Sequence, residues 1–324
     1  MTAGAGFPHR AGLLAAAAGV LVDLAAGDPP DRWHPVAWFG SLMEIVERRA
    51  WADSRVAGAC YSVVGVAIGA AAGVVLHTSA DLVGCRPELA TLVAAGVCVG
   101  GRGLDEAAER VARALDEGDV EEARRLLPWL VGRDPSDLDA SEIARAAVES
   151  LAENTVDAVV APVLWAAAGG APGVLAYRAV NTLDAMVGHR SARYDRFGWS
   201  AARLDDLANW VPARVAAGLA ACVRPARKAA IWRAVRTQAP RHPSPNGGVV
   251  EAAFAGALGC RLGGTNDYSG RIEHRPPLGE GPPPGAADIA RARRLARHVD
   301  LALVVGLLAC AVASRCASRQ PGRR

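Results

Sequence analysis

VAGACYSVVGVAIGAAAGVVL, residues 56–76, runs for 21 positions without a charge, between Arg55 and His77. A helix of that length covers the roughly 30 Å hydrocarbon core of a bilayer. A second stretch, AVVAPVLWAAAGGAPGVLAY at 158–177, has 20 uncharged positions between Asp157 and Arg178. Gly65, Gly69 and Gly73 interrupt the first, and Pro162, Gly169, Gly170 and Pro172 the second. Membrane helices tolerate such residues when neighbouring helices satisfy the freed backbone groups. The two stretches set the expected fold class: an all-α, multi-pass integral membrane protein.

Shorter apolar stretches lie outward from these, at 11–22, 89–101, 249–260 (with Glu251 its one charge) and 301–314. Segments of this length form buried helices, re-entrant pieces or spans with polar ends. About four to six spans are expected, with a cytoplasmic helical segment. The first stretch follows Arg10 and resembles the apolar part of a signal peptide. Asp23 follows it directly, so it reads as a retained helix. The whole chain, 1–324, reads as a single membrane domain with a polar acidic helical insertion over 102–155.

Charge is unevenly spread. Residues 102–155 carry 14 acidic and 7 basic side chains, whereas 178–241 carry 4 acidic and 12 basic. Short basic segments near membrane helices stay on the cytoplasmic side, which places 178–241 there, with the tail arginines Arg315, Arg319, Arg323 and Arg324. In the acidic segment Leu104, Ala107, Ala108, Val111 and Leu115 follow helical spacing, and Asp139 with Glu142 offers a helix start. Residues 276–285 hold five prolines and three glycines and read as a flexible loop.

Composition excludes more than it selects. The chain has 324 residues, 51% of them hydrophobic, with a mean hydropathy of +0.15, a value that soluble domains also approach. A net charge of +3 is too small to imply nucleic acid. Lys228 is the only lysine beside 35 arginines, the mark of a GC-rich genome. Seven cysteines without a C-x-x-C pair give neither a disulfide framework nor structural zinc. There is no G-x-x-x-x-G-K-[ST], no G-x-G-x-x-G after a strand, no H-E-x-x-H and no G-x-S-x-G.

Four polar clusters border the apolar stretches. The first is Asp23 and Gly27-Asp28-Pro29 with His34-Pro35; Asp28 reads as a cap, while Asp23 sits where a charge is costly. The second holds Glu149, Glu153 and Asp157 with Ser150 and Asn154. Their four-residue spacing stacks three carboxylates on one helix face, an oxygen-rich set suited to a divalent cation. The third runs from Tyr177-Arg178 through Asn181-Thr182 and Asp184 to Gly188-His189, and on to Arg203, Asp205-Asp206, Asn209 and Arg214. Arginine forks suit carboxylates and phosphates; structural pairing such as Arg178 with Asp184 is the plain alternative. The fourth is Ser244-Pro245-Asn246-Gly247-Gly248 with Glu251, then Gly263-Gly264-Thr265-Asn266. It reads either as a capped turn into a helix or as an anion seat at that helix's N-terminus. His242 reads as a loop residue.

Taken together, in this order and over about residues 23–268, the clusters resemble the CobD/CbiB family of cobalamin biosynthesis proteins. The resemblance rests on Gly27-Asp28-Pro29 with His34-Pro35, on Glu149-Ser150-x-x-Glu153-Asn154-x-x-Asp157, and on Tyr177-Arg178 through Gly188. It continues with Ala202-Arg203-Leu204-Asp205-Asp206 and Pro212-Ala213-Arg214, and ends with Ser244 through Gly248 and Glu251-Ala252-Ala253. One departure is His189-Arg190, where Tyr-Lys or a similar pair is expected.

The resemblance implies a multi-pass protein of the bacterial inner membrane, its active site facing the cytoplasm. It implies conversion of adenosylcobyric acid to adenosylcobinamide or its phosphate by amide ligation. The partners implied are the corrinoid, aminopropanol or its O-phosphate, the lipid bilayer and other membrane enzymes of cobalamin assembly. The rival reading is a corrinoid-binding membrane transporter or sensor subunit without catalysis. Ligation asks for ATP, Mg²⁺ and positive groups on the phosphates. On that basis Glu149, Glu153 and Asp157 are the expected metal ligands. Arg178, Asn181, Arg203 and Arg214, with Ser244, Asn246, Gly247, Gly248 and Glu251, are expected to bind substrates. Asp184 or Asp205 would take the ammonium proton, and Glu153 joins them as a catalytic carboxylate.

Overall fold

Both long uncharged stretches are helical in the computed structural model, which describes residues 10–27, 30–268 and 271–318. The expectations placed on Asp28 and Pro29, and on Arg319, Arg323 and Arg324, lie outside the described residues. In chain order the first helices are α1 (Arg10–Ala26), α2 (Pro35–Ala50), α3 (Arg55–Leu82), α4 (Pro87–Cys98), α5 (Gly101–Asp116) and α6 (Val120–Leu126). Next, α7 (Ala140–Asn154) continues through a π-helical turn, Thr155–Val160, into α8 (Ala161–Leu183), which ends in a second π-helical turn, Asp184–Gly188. Then come α9 (Trp199–Ala208), α10 (Trp210–Val223), α11 (Lys228–Thr237) and α12 (Gly247–Leu258). An antiparallel hairpin of β1 (Leu262–Tyr268) and β2 (Arg271–Leu278) precedes α13 (Ala286–Ser318). Apart from that hairpin the described fold is all-α, as expected.

Among the described residues three helical runs are long and apolar enough to cross a membrane: Arg55–Leu82, Ala140–Gly188 and Ala286–Arg315. That is fewer than the four to six spans expected. The remaining apolar stretches form helices of only 17, 12, 14 and 12 residues, namely α1, α4, α10 and α12. At 1.5 Å per residue even α1 falls short of the roughly 30 Å core.

The chain divides into two compact units. The first is drawn from 1–100, 161–208 and 303–324, the second from 101–160 and 209–302.

In the first unit α3 and α8 approach along glycines. A Cβ on Gly69 would stand 2.7 Å from the Leu175 carbonyl oxygen, and one on Gly73 would stand 2.4 Å from Pro172 Cα. Small residues at four-residue spacing let two backbones come this close without a large side chain between them. Helix α8 breaks at Gly170, where φ is 61° and ψ −152°, a conformation glycine adopts at little cost. Pro172 follows, lacking the N–H that would close the helical ladder. Around the α8 terminus, Met43, Tyr61, Leu183, Val187, Phe197 and Ala201 form one buried cluster. The buried hydroxyls of Ser62 and Ser200 lie 2.8 Å apart beside it.

The second unit is built around α12, whose residues from Gly248 to Leu258 are all buried. An all-round apolar helix of 12 residues suits such a position. Helix α5 buries Ala107, Ala108 and Val111, the face its spacing predicts. Asp139 and Glu142 form a capping box at the start of α7, again as expected. The 276–285 stretch is not the flexible loop its composition predicts. Residues 276–278 belong to β2, Gly279 N–H donates to Gln238 Oε1 at 2.6 Å, Arg261 N–H to the Pro282 carbonyl at 2.9 Å, and Ser141 Oγ to the Pro284 carbonyl at 2.9 Å. Proline-rich backbone keeps its carbonyl acceptors, and here neighbouring donors find them.

Candidate functional site

The expected site residues fall into two groups, one in each unit. The first-unit group gathers where α8 ends. Arg178 Nη1 donates to Asn181 Oδ1 at 3.2 Å, and Asn181 Nδ2 donates to Asp205 Oδ1 at 3.5 Å. Among the described residues no ion pair joins Arg178 to Asp184, and Arg178 Nε is buried without a hydrogen-bond partner. Asp184 opens the π-helical turn and lies close enough to Asp205 and Asp206 to feel both charges. Its carboxylate rests over Gly188, where a Cβ would fall 1.8 Å from Asp184 Oδ1; any side chain there would displace the carboxylate. Arg203 Nη1 reaches Asp206 Oδ2 at 3.4 Å on the exposed side of α9, and burial raises the Asp206 carboxyl above its usual range. Nearby, a cleft of about 260 Å³ is walled by Trp38, Phe39, Ile68, Leu175, Arg178 and Thr182, among others. It is apolar except at Arg178 and Thr182.

The second-unit group draws together the carboxylates of α7 and the loop entering α12. Glu149 is 2% exposed. Its Oε2 accepts from Arg133 Nη2 at 2.6 Å, and its Oε1 from Gly263 N–H at 2.9 Å and Arg145 Nη1 at 3.4 Å. Both oxygens are thus engaged by protein donors. Asp157 sits in the π-helical turn, where the change of pitch after Glu153 ends the strict four-residue stacking. Among the described residues no group of three or more His, Cys, Asp or Glu is placed to hold a metal ion. The metal set expected of Glu149, Glu153 and Asp157 is therefore not assembled. The reason is legible in hindsight: Arg145 stands four residues before Glu149, a helical ion-pair spacing.

Glu153 faces the other way, toward α12. Its Oε1 lies 3.8 Å from Arg275 Nη1 and 3.0 Å from where a Gly247 Cβ would stand. Ser244 Oγ accepts from the N–H groups of Asn246, at 3.3 Å, and Gly247, at 3.0 Å. The loop thus caps itself, the plainer of its two readings. Gly248 packs against the His242 side chain, whose Cβ lies 2.4 Å from its would-be Cβ. Arg214 donates to Asn246 Oδ1 at 3.0 Å and to the Pro245 carbonyl at 3.3 Å while its guanidinium stacks 4.3 Å from the Trp210 ring centre. It holds the loop in place.

Beneath that loop Glu251 is wholly buried, with His242 Nε2 3.4 Å and Arg275 Nη1 3.6 Å from its Oε1. Neither distance comes with hydrogen-bond geometry, and both Glu251 oxygens and His242 Nε2 lack a hydrogen-bond partner. Burial, and then the charges of Glu153 and Glu149, push the Glu251 carboxyl well above the usual carboxylate range. Burial, and then Arg275, hold the His242 imidazole below its usual value, so it is neutral at pH 7. Sequence reasoning passed over His242 and Arg275. Nothing in their spacing pointed to Glu251, since only the packing of the hairpin and the 239–246 turn brings them to it.

The profile of the family described as CobD/Cbib protein matches residues 16–296. The chain belongs to that family. It is 49% identical over 292 residues to the cobalamin biosynthesis protein CobD of Mycobacterium tuberculosis (strain CDC 1551 / Oshkosh), covering 89% of this chain and 92% of that one. It is 44% identical over 283 residues to the protein of the same name from Chromobacterium violaceum (85% and 89% covered). With that of Rhodobacter capsulatus it is 40% identical over 301 residues (89% and 94%). No solved structure matches the chain. All four polar clusters begin within the matched span, so both groups of site residues are part of what this CobD/CbiB chain shares in length with its relatives.

Proposed function

We propose that this protein serves cobalamin biosynthesis as a membrane-embedded ATP-dependent amide ligase. It joins aminopropanol or its O-phosphate to the free carboxylate of adenosylcobyric acid. Near full-length identity of 40–49% to proteins named for cobalamin biosynthesis carries the pathway. The reaction class rests on the resemblance, and the two polar groups supply chemistry that suits it. The rival, a corrinoid-binding transporter or sensor, is not favoured by those names.

Ligation by this route forms an acyl phosphate on the corrinoid carboxylate as ATP loses its terminal phosphoryl group to it. The amine nitrogen then attacks the acyl carbon, releasing phosphate and a proton and leaving the amide. Arg178, with its unpartnered Nε, and the exposed Arg203 are the cations to meet phosphate oxygens. Mg²⁺ is commonly held through one or two carboxylates plus the nucleotide's own phosphates. Asp184 and Asp205 are the pair that fits that requirement, beside Arg178 and Asn181. A metal held there would supply neutralising charge to the phosphates. Three membrane-length runs support a position in a bilayer, and the basic 178–241 segment favours a cytoplasmic orientation for the aspartates of α8 and α9 in the bacterial cell.

The test supplies membranes containing the protein with adenosylcobyric acid, Mg-ATP and either aminopropanol or its phosphate. A product heavier by the aminopropanol unit less water, dependent on ATP, is the expected result by mass analysis. Absence of that product with both amines, at verified protein abundance, overturns the ligase reading. Corrinoid accumulation in vesicles without new covalent product would instead favour transport.

A further inference from the structure

We infer that Glu251, with Glu153 on its solvent side and His242 behind it, forms a seat for a primary ammonium group. That the ammonium belongs to the amino alcohol of the ligation rests on the function proposed above.

Glu153 and Glu251 both turn toward the guanidinium of Arg275, at 3.8 and 3.6 Å. The neutral His242 adds no charge. Glu149, one helical turn before Glu153, is already matched by Arg133 and Arg145 and gives the seat none of its own donors. Glu251 is 0% exposed and neither of its oxygens finds a hydrogen-bond donor in the protein. A buried carboxylate without donors is costly. Two states relieve it: a proton on Glu251, which can then bond to Glu153, or a cation carrying its own N–H groups. An ammonium offers three such donors. Glu251 Oε1, Glu251 Oε2 and Glu153 Oε1 are the acceptors present, and His242 Nε2, unpartnered beside them, is a further acceptor in one tautomer.

Access is through Glu153, whose side chain is 39% exposed while that of Glu251 is 0% exposed. Gly247 flanks that approach, and a Cβ there would stand only 3.0 Å from Glu153 Oε1. Among the described residues no metal-holding group includes these side chains, and an ammonium brings its own N–H donors to acceptors that lack them. Once the ammonium is seated, its proton passes to the Glu251 carboxylate. That step breaks one N–H bond, forms one O–H bond and leaves the nitrogen with a free lone pair.

The experiment is isothermal titration of the purified protein in detergent with aminopropanol phosphate. 1,2-Propanediol phosphate, which lacks the amine, is run in parallel. Wild type should bind the amine more tightly. Glu251→Gln should lower amine affinity by about tenfold or more, the scale of one charge-assisted hydrogen bond. The same change should leave the propanediol ester where it was. If thermal unfolding shows that Glu251→Gln does not fold, Glu153→Gln at the exposed side carries the same test. Amine affinity kept within twofold in the folded variant overturns the seat. So does competitive displacement of the amine by K⁺ or Mg²⁺ alone, which would make it an inorganic cation site. The two proposals fail separately. Wild type that binds the amine but forms no amide sinks the ligase and leaves the seat. Wild type that forms amide while Glu251→Gln keeps the amine KM sinks the seat and leaves the ligase.

Discussion

The two units differ in what their helices leave exposed. In the first unit Val56, Val63, Val75, Leu82 and Val93 are all more than half exposed, while Asp23, Glu47 and Ser62 are buried. In the second, Ile143, Leu151, Phe254 and Leu258 are buried together with Arg133, Arg145, Glu149 and Glu251, and the outer faces of α5 and α6 carry ion pairs such as Arg102–Glu106 and Arg125–Glu122. Water cannot be the solvent for both surfaces. An apolar exterior with helices locked by glycines suits lipid, where the hydrophobic effect does not drive helices together and close backbone packing must. Helix faces laced with ion pairs suit water. The same chain is thus read with two different rules, and a residue's value depends on which unit holds it.

The largest expected effect lies in the water-type unit. Glu149→Ala removes the buried carboxylate that Arg133 and Arg145 share and should destabilise by about 3–5 kcal/mol. Loss of folded protein in detergent is the readout; an unchanged unfolding temperature would show that the pair is solvated and the unit less dry than described. Next comes a matched pair of charge insertions. Val63→Arg, at a position 65% exposed, should cost about 2.5–3.5 kcal/mol of membrane insertion. Trp129→Arg, at a position 73% exposed in the other unit, should stay within about 0.5 kcal/mol. Carbonate-resistant protein is counted for each variant, and equal losses would erase the contrast between the units.

Activity sharpens the comparison further. Asp184→Asn in the first unit and Glu153→Gln in the second should each lower amide formation by about a hundredfold or more at matched abundance, if each supplies a proton-handling or metal-holding group. A single inactive variant would confine the chemistry to one unit. The smallest effect is expected from Gly247→Val, which crowds Glu153 Oε1. Half-saturation for aminopropanol phosphate should rise a few-fold, on the order of 1 kcal/mol, with that for Mg-ATP unmoved. A rise for Mg-ATP instead would restore the 244–248 loop as a phosphate seat, the role its Gly-Gly pair and helix N-terminus predict from sequence.

Local rules carried the sequence reading where neighbours in sequence are neighbours in space. The charge-free runs at 56–76 and 158–177, the amphipathic face of α5 and the Asp139 capping box all follow from periodicity or spacing, and each is present. The order of the polar clusters was equally legible, and it sufficed for the family. Tertiary structure alone decided the rest. Glu149 looked like a metal ligand because its partner Arg133 and the Gly263 N–H lie 16 and 114 residues away. His242 looked like a loop residue because its tie to Glu251 depends on how the turn before α12 folds under it. The 262–278 hairpin was missed because Gly263-Gly264 and Pro276-Pro277 break any strand-like alternation, and Arg145, 120 residues before it, reaches its Thr265 carbonyl at 3.0 Å. Helical geometry repeats every few residues and so can be read along a chain, whereas the pairing of buried charges is set by distances between segments that no local pattern encodes.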